Sequence, residues 1–318
     1  MVQAEIAFII VNYNTVDLLQ TCLASIIDST SLNHVIVVVD NHSTDGSADM
    51  VKTQFPDVKL IPNSVNLGFP KAVNQGLKAV LAPYYFILNS DILILENTIP
   101  ILYNYISQKP KVGIVAPAQV LPNGQAILSI YPFPNLRREW ARNIFFTDIW
   151  KYRFWGHKLA ESMEETVSVD WIMGAALFVR AEMIADIGYM DEAIFMYGEE
   201  LDWCYRAHLA GWLIDFLPNA KIIHYESASA DKTFSVYRYQ RVVKSNYYVG
   251  AKHFGFWRLP FFVLAQLIGS LLRINIAAVF CIFGKRSFCA QVREHLAVIR
   301  MSFDPNLYKW IKKALQST

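Results

Sequence analysis

Three short apolar runs constrain this chain most: IAFIIV (6–11), VIVVV (35–39) and YYFIL (84–88), each followed by Asn or Asp. Continuous β-branched and aromatic runs of this length suit strands covered on both faces. Between the first two, DLLQTCLASIID (17–28) places Leu18, Leu19, Cys22, Leu23, Ile26 and Ile27 on one helical stripe. Further helices are expected over 47–55 and 70–80, the second with Pro70 near its first position, where a missing N–H costs little. KLIP (59–62) reads as a short strand. This β-α-β-α alternation predicts an α/β fold: a mainly parallel sheet with helices on both faces. Ligands of such sheets bind beyond the carboxyl ends of the strands. Asn12-Tyr13-Asn14, Asp40-Asn41 and Asn89-Ser90-Asp91 should therefore gather at one edge.

Residues 117–168, rich in aromatic and basic side chains and carrying Pro117, Pro122, Pro132 and Pro134, read as a loop-rich insertion. VDWIMGAALFVR (169–180) returns to a strand pattern, with Gly174 and Ala175 permitting close backbone approach. Glu199, Glu200 and Asp202 then crowd the start of a helix, beside Met196, Tyr197, Trp203 and Tyr205. The positive end of the helix dipole favours acids there, and Asp202 and Arg206 have the i,i+4 spacing of an ion pair. Residues 213–223 read as two short strand-like pieces ending at His224, and Asp45 as a turn or capping residue.

The formal charge of +2 conceals an asymmetry: residues 1–237 carry −9, while 238–318 carry +11 from 13 Lys and Arg against 2 Asp and Glu. Within that basic part, Leu259 to Phe283 is almost wholly apolar and long enough to cross a bilayer. Arg273 and Asn275 lie near its middle, where insertion is expensive. Trp257, Arg258, Lys285 and Arg286 flank it as interface anchors. A helix pair or broken helix in the membrane interface is favoured over a full span, with a buried soluble helix as the alternative. The apolar run suits an anionic lipid surface better than nucleic acid. Two regions are expected, 1–235 and 236–318. The N-terminus shows no signal-peptide pattern. Cys22 and Cys204 fall on apolar faces, and reducing surroundings are expected.

Taken together, VNYN, VVVDNHSTDGS, NLGFPKAVNQG, LNSD, DWIMGAALFVR, FMYGEELDWCYR and His224 resemble, in order, the motifs of family 2 glycosyltransferases with the GT-A fold. The nearest likeness is to the rhamnosyltransferase-like branch, over roughly residues 5–230. The resemblance implies an inverting, metal-dependent sugar transfer serving cell-surface polysaccharide synthesis. LNSD falls on the family's metal motif, so Asp91 would grip Mg²⁺ or Mn²⁺ beside the donor diphosphate, with Ser90 next to it. Asn89 stands where many relatives carry an acid. His224 would complete the cation site. Asp40 would accept the N3–H of uracil or thymine, favouring a UDP- or dTDP-linked donor, with Asn12, Asn14 and Asn66 as further polar contacts. Glu200 falls on the catalytic base, one methylene longer than the usual Asp, and Glu199 on the acid before it. Trp171, Gly174 and Ala175 would border the acceptor and donor sugar. The implied acceptor is a saccharide or polyprenyl-linked saccharide at the cytoplasmic membrane face, and the leading donor sugar is L-rhamnose.

Two other readings stay open. A sugar-1-phosphate nucleotidyltransferase would need a Gly-rich phosphate loop, and VNYNTVDLL has no glycine. A non-catalytic membrane scaffold is permitted by the departures at Asn89 and Glu200, but the retained acids Asp91 and Glu200 and His224 argue against it. No GxGxxG follows any strand, which disfavours a dinucleotide dehydrogenase.

Overall fold

The computed structural model describes residues 4–145, 162–225, 234–282 and 286–316. It contains two compact units: Met1–Phe133 with Gly156–Phe195 and Glu199–Ser229, and Pro134–Trp155 with Met196–Gly198 and Ala230–Thr318.

The first unit opens with β1 (Ile6–Asn12), α1 (Val16–Ser29), β2 (His34–Asp40), α2 (Ser47–Gln54), β3 (Lys59–Pro62), α3 (Phe69–Ala79) and β4 (Tyr84–Asn89), within about a residue of the sequence reading at most ends. There follow β5 (Ile92–Ile94), α4 (Thr98–Gln108), β6 (Val112–Val120), β7 (Ala126–Ile127) and β8 (Ile130–Tyr131). The helix α5 (Leu136–Ile144) belongs to the second unit. The first resumes with β9 (Val167–Ser168), β10 (Trp171–Ile172), β11 (Ala176–Arg180), α6 (Ala181–Ile187), α7 (Glu199–Leu209) and β12 (Leu213–His224).

The main sheet runs β3-β2-β1-β4-β11-β6-β12-β5. It is parallel from β3 to β4 and again between β6 and β12, with β11 antiparallel to both neighbours and β5 antiparallel to β12. Chain order reverses at β1, which lies between β2 and β4, so a crevice opens at their carboxyl ends. Register is exact there: Asn12 lies opposite Asp40, and Val11 opposite Asn89. Ile6, Phe8 and Ile10 join Leu19, Cys22, Leu23 and Ile26 of α1 in the buried core, while Ile9 on the other face meets Gly76 of α3.

Two details depart from the expected pattern. The strand β6 runs into the expected insertion through Pro117, which pairs with Leu217 where the β6–β12 ladder shifts register. A proline is tolerated in an interior strand only at such an irregularity. The two expected pieces at 213–223 are one 12-residue strand. Pro218, Asn219 and Ala220 bulge from it, since pairing resumes at Lys221. The insertion's residues 146–161 lie outside the described residues.

In the second unit, α8 (Phe234–Phe254), α9 (Leu259–Ile282), α10 (Arg286–Ser302) and α11 (Pro305–Gln316) follow α5. Helix α9 buries Gln266 and Ser270 beside the apolar Leu259, Phe262, Val263, Ala265 and Ala277. Gln266 donates to Tyr239 Oη (2.8 Å) and to Ser270 Oγ (3.2 Å), and Ser270 Oγ lies 3.3 Å from His295 Nδ1. The Arg273 guanidinium donates to the carbonyls of Arg142 (3.0 Å) and Asn143 (3.3 Å), capping the end of α5 where carbonyls lack helical partners. Asn275 bonds back to the Leu271 carbonyl. Phe261, Leu264, Leu271, Ile276 and Val279 are exposed, Leu271 by 52%. Phe256–Phe280 is the one stretch among the described residues long and apolar enough to cross a membrane; the anchor Lys285 lies outside them. Cys22 and Cys204 are free and buried. Cys289 is disulfide-bonded, a departure from the reduced thiols expected.

Candidate active site

The carboxyl edge of the sheet holds a buried polar chain. Asn12 Nδ2 donates to Asp40 Oδ1 (2.8 Å) and to Ser43 Oγ (3.0 Å). Asn12 Oδ1 accepts from Thr15 Oγ1 (2.7 Å), which meets Ser90 Oγ at 2.7 Å. Thr15 and Ser43 were not singled out in the sequence, because hydroxyl residues in turns carry no signal beyond loop. The chain ties the ends of β1, β2 and β4 together next to Asp91.

Asp40 is buried, and its second oxygen accepts from the Ser43 N–H (3.0 Å), closing an Asx turn. Asn14, at φ 54°, lies over the same loop, accepting from the Thr44 N–H. Asp45 accepts from Val16 N–H at the start of α1 and from the Ser47 N–H and hydroxyl at the start of α2. It is thus the capping residue expected. Burial raises its pKa, but these donors outweigh burial and hold it below the usual value.

Asn66 joins a second cluster, accepting from Asn41 Nδ2 and Gly68 N–H, both at 3.0 Å. Gly68 has φ 85°, and a Cβ there would stand 2.5 Å from the Phe195 carbonyl. That carbonyl accepts from the Phe69 N–H (2.8 Å). Asn74 of α3 exchanges hydrogen bonds with the Met190 backbone. The NLGFPKAVNQG block therefore braces the segment leading to Glu199.

Asp91 and His224 meet through strand pairing. Ile92 lies opposite His224 in the β5–β12 ladder, and the Tyr225 N–H bonds to the Asp91 carbonyl (3.0 Å). Asp91 Oδ1 stands 3.5 Å from His224 Nε2, and the two residues are 6% and 7% exposed. Cys22 lies behind them. Burial, with the Asp91 charge adding to it, pushes its thiol up to about 12. A carboxylate oxygen beside an imidazole nitrogen fits a hydrated divalent cation that takes its remaining ligands from water and phosphate. Among the described residues no group of three or more His, Cys, Asp or Glu gathers to hold a metal.

The acids of α7 are all buried, Glu199 by position 5% exposed and Glu200 9%. Asp202 pairs with Arg206 (2.9 Å), as the spacing predicted, and Arg206 also holds the Tyr189 carbonyl (2.8 Å). The Trp203 indole is fully buried and donates to the Gly188 carbonyl (2.9 Å). Asp202 and Trp203 thus fasten α7 to the 187–189 turn, while the helix opens on Tyr197 and Gly198, at φ 69° and 101°. Glu200 faces the Met173–Ala175 turn: a Cβ on Gly174 would lie 3.4 Å from Glu200 Cβ and 3.7 Å from its carboxyl carbon. The next carbonyl, Ala175, accepts from the Asn89 N–H (3.0 Å). Glu200, Gly174–Ala175 and Asn89–Asp91 are therefore contiguous. Trp171 is stacked on Tyr131 (centroids 4.7 Å apart) and its indole donates to the Pro132 carbonyl (3.1 Å), leaving the ring half-buried.

Residues 7–154 match the family model described as "Glycosyl transferase family 2". The chain carries a family 2 glycosyltransferase domain. The transferase is 27% identical over 270 residues to N-acetylglucosaminyl-diphospho-decaprenol L-rhamnosyltransferase of Mycobacterium tuberculosis (strain H37Rv), covering 79% of this chain and 85% of that one. It is 22% identical over 217 residues to poly-beta-1,6-N-acetyl-D-glucosamine synthase of Staphylococcus epidermidis, covering 68% of this chain and 48% of that relative. Among solved structures, the mannosyltransferase PcManGT from Pyrobaculum calidifontis, in complex with GDP-Man and Mn²⁺, aligns with TM-score 0.55 at 16% identity, over 94% of this chain and 86% of that one. GalNAc-T7 with UDP, GalNAc and Mn²⁺ aligns with TM-score 0.56 at 15% identity, over 79% of this chain and 48% of that one. The fold is GT-A, and the activity is sugar transfer.

Proposed function

We propose that the transferase moves a sugar, with L-rhamnose the leading choice, from a UDP- or dTDP-linked donor to a saccharide or polyprenyl-linked saccharide, with inversion, in cell-surface polysaccharide synthesis. The observation that carries this reading is the contiguity of Glu200, the Gly174–Ala175 turn and Asp91 at the carboxyl edge of the sheet. The name of the mycobacterial relative supports the rhamnosyl and lipid-linked parts.

The Glu200 carboxylate takes the proton of the acceptor hydroxyl as that oxygen bonds to the anomeric carbon. The bond from that carbon to the diphosphate breaks on the opposite face, and the nucleoside diphosphate leaves with the electron pair. Glu199 precedes Glu200 on the helix and shares its burial. Asp91 and His224 would hold Mg²⁺ or Mn²⁺, which supplies positive charge against the departing diphosphate. Asp40 keeps lone pairs beyond its two existing bonds and accepts the pyrimidine N3–H; Asn12, Asn14, Asn66 and Ser90 shape the same wall. Trp171 offers its uncovered ring face to a sugar, and Gly174 and Ala175, lacking bulk, leave room beside the base.

The exposed apolar face of α9 rests in an anionic membrane interface, at the cytoplasmic face. The large apolar side chains left exposed on it, with the buried Gln266 and Ser270 paired to other side chains, support this. On α10, exposed Arg293, Leu296 and Arg300 recur at helical spacing, mixing cationic and apolar contacts as interfacial helices do.

The deciding experiment is a donor screen with purified protein, followed by Glu200→Gln. Nucleoside diphosphate release with UDP- or dTDP-sugars is expected, with the variant's kcat reduced at least ~10²-fold, as for loss of a general base. Full activity in a folded Glu200→Gln protein would remove the assignment, and activity with GDP-sugars alone would remove the role of Asp40.

A further inference from the structure

Gln119 carries no signal in the sequence, yet it is 1% exposed on β6, and its Oε1 lies 3.0 Å from His224 Nδ1. We propose that Gln119 is a positioning residue for His224: it accepts the Nδ1–H and so presents Nε2 as a bare lone pair toward Asp91 and a shared divalent cation. This rests on the cation reading above.

The distances on the two sides of the ring decide where the proton sits. A hydrogen bond between an N–H donor and a carboxylate is among the short ones, typically 2.7–2.9 Å when charge-assisted. Nε2 and Asp91 Oδ1 are 3.5 Å apart. Nε2 therefore makes no such bond, and the proton belongs on Nδ1, where an amide oxygen stands at hydrogen-bond distance. The reversed amide would donate to Nδ1 and force the proton onto Nε2, aiming an N–H at the cation's position.

The identity of the residue points the same way. Gln119 Nε2 is buried and has no hydrogen-bond partner among the described residues. A Leu or Met would fill this place without leaving a buried donor unmet. A glutamine that costs stability and makes one side-chain bond, to an imidazole, is there for the imidazole. The backbone keeps the pair in place, since Gln119 lies opposite Ile222 in the β6–β12 ladder, two residues before His224.

The test uses the full chain with ¹⁵N-labelled histidine, and Mn²⁺ binding read by electron paramagnetic resonance in the presence of dTDP. The His224 signal, assigned by its loss in His224→Ala, should show the Nδ1–H tautomer. Gln119→Leu should lose that tautomer preference and weaken Mn²⁺ binding ~10–100-fold, the usual effect of removing such a partner. Gln119→Glu, which keeps an acceptor oxygen, should stay within a few-fold of the parent. A proton on Nε2 in the parent protein, or unchanged Mn²⁺ affinity in Gln119→Leu, overturns the proposal. If Asp91→Asn and His224→Ala also bind Mn²⁺ as the parent does, the cation reading itself fails. If those two weaken binding and Gln119→Leu does not, only the role of Gln119 falls.

Discussion

Thr15→Val tests whether the buried hydroxyl–amide chain holds the donor edge together. The substitution keeps the β-branched shape and opens no cavity. It does not uncap α1 either, because the Thr15 side chain makes no capping bond to that helix. What it removes is the donor to Asn12 Oδ1 (2.7 Å) and the partner of Ser90 Oγ (2.7 Å). Asn12 is fully buried, so its oxygen is left without a donor, at about 1–3 kcal/mol. The Ser90 hydroxyl loses one ordinary bond, a further ~0.5–1.5 kcal/mol. The expected loss is about 2–4 kcal/mol, a large share of a stability of about 5–15 kcal/mol. Urea denaturation followed by circular dichroism measures it, with Thr21→Val as control. Thr21 is exposed and its hydroxyl bonds to the Asp17 carbonyl of its own helix, so its loss should stay within ~0.5 kcal/mol. A cycle with Ser90→Ala should show coupling of ~0.5–3 kcal/mol between the contacting hydroxyls. Equal midpoints for Thr15→Val and Thr21→Val would refute the claim that this chain braces the site.

Three other perturbations follow from particular contacts. Asp45 has its folded pKa below its unfolded value, so its contribution is full above the unfolded pKa and is lost as pH falls through the folded one; Asp45→Asn should lower stability at neutral pH and leave less further loss on acidification, read from thermal melts between pH 7 and pH 3. Gly68→Ala combines left-handed backbone with a methyl 2.5 Å from the Phe195 carbonyl, and should cost at least ~1–2 kcal/mol in chemical denaturation while loosening the Glu199 segment. Leu264→Glu with Ile276→Glu places two charges on the exposed face of α9 and should reduce sedimentation with anionic vesicles at least ~10-fold without changing soluble-donor turnover; unchanged sedimentation would remove that face from the membrane.

The first 90 residues were legible because local and global signals agree there. Buried parallel strands must be continuously apolar, their helices must be striped, and each strand must end in polar residues where the ligand edge begins. Asn12, Asp40 and Asp91 were legible for that reason, as was the Asp202–Arg206 pair, fixed by helical spacing alone. The β6 strand was not, because Pro117 reads as a loop until the register shift beside it is known. Nor was the polar side of α9. Arg273 looks misplaced in an apolar run, and only the end of α5, some 130 residues earlier, explains it.

Sequence by itself determined which residues stand at strand ends and which helix begins with acids, since those follow from periodicity within a few residues. Tertiary structure decided which of those ends meet. Asp91 reaches His224 because β5 turns back to pair with β12. Glu200 reaches the same edge because β11 inserts antiparallel between β4 and β6 and carries the Gly174–Ala175 turn with it. Pairing between strands this far apart in the chain is set by the packing of the whole sheet, and no local pattern records it.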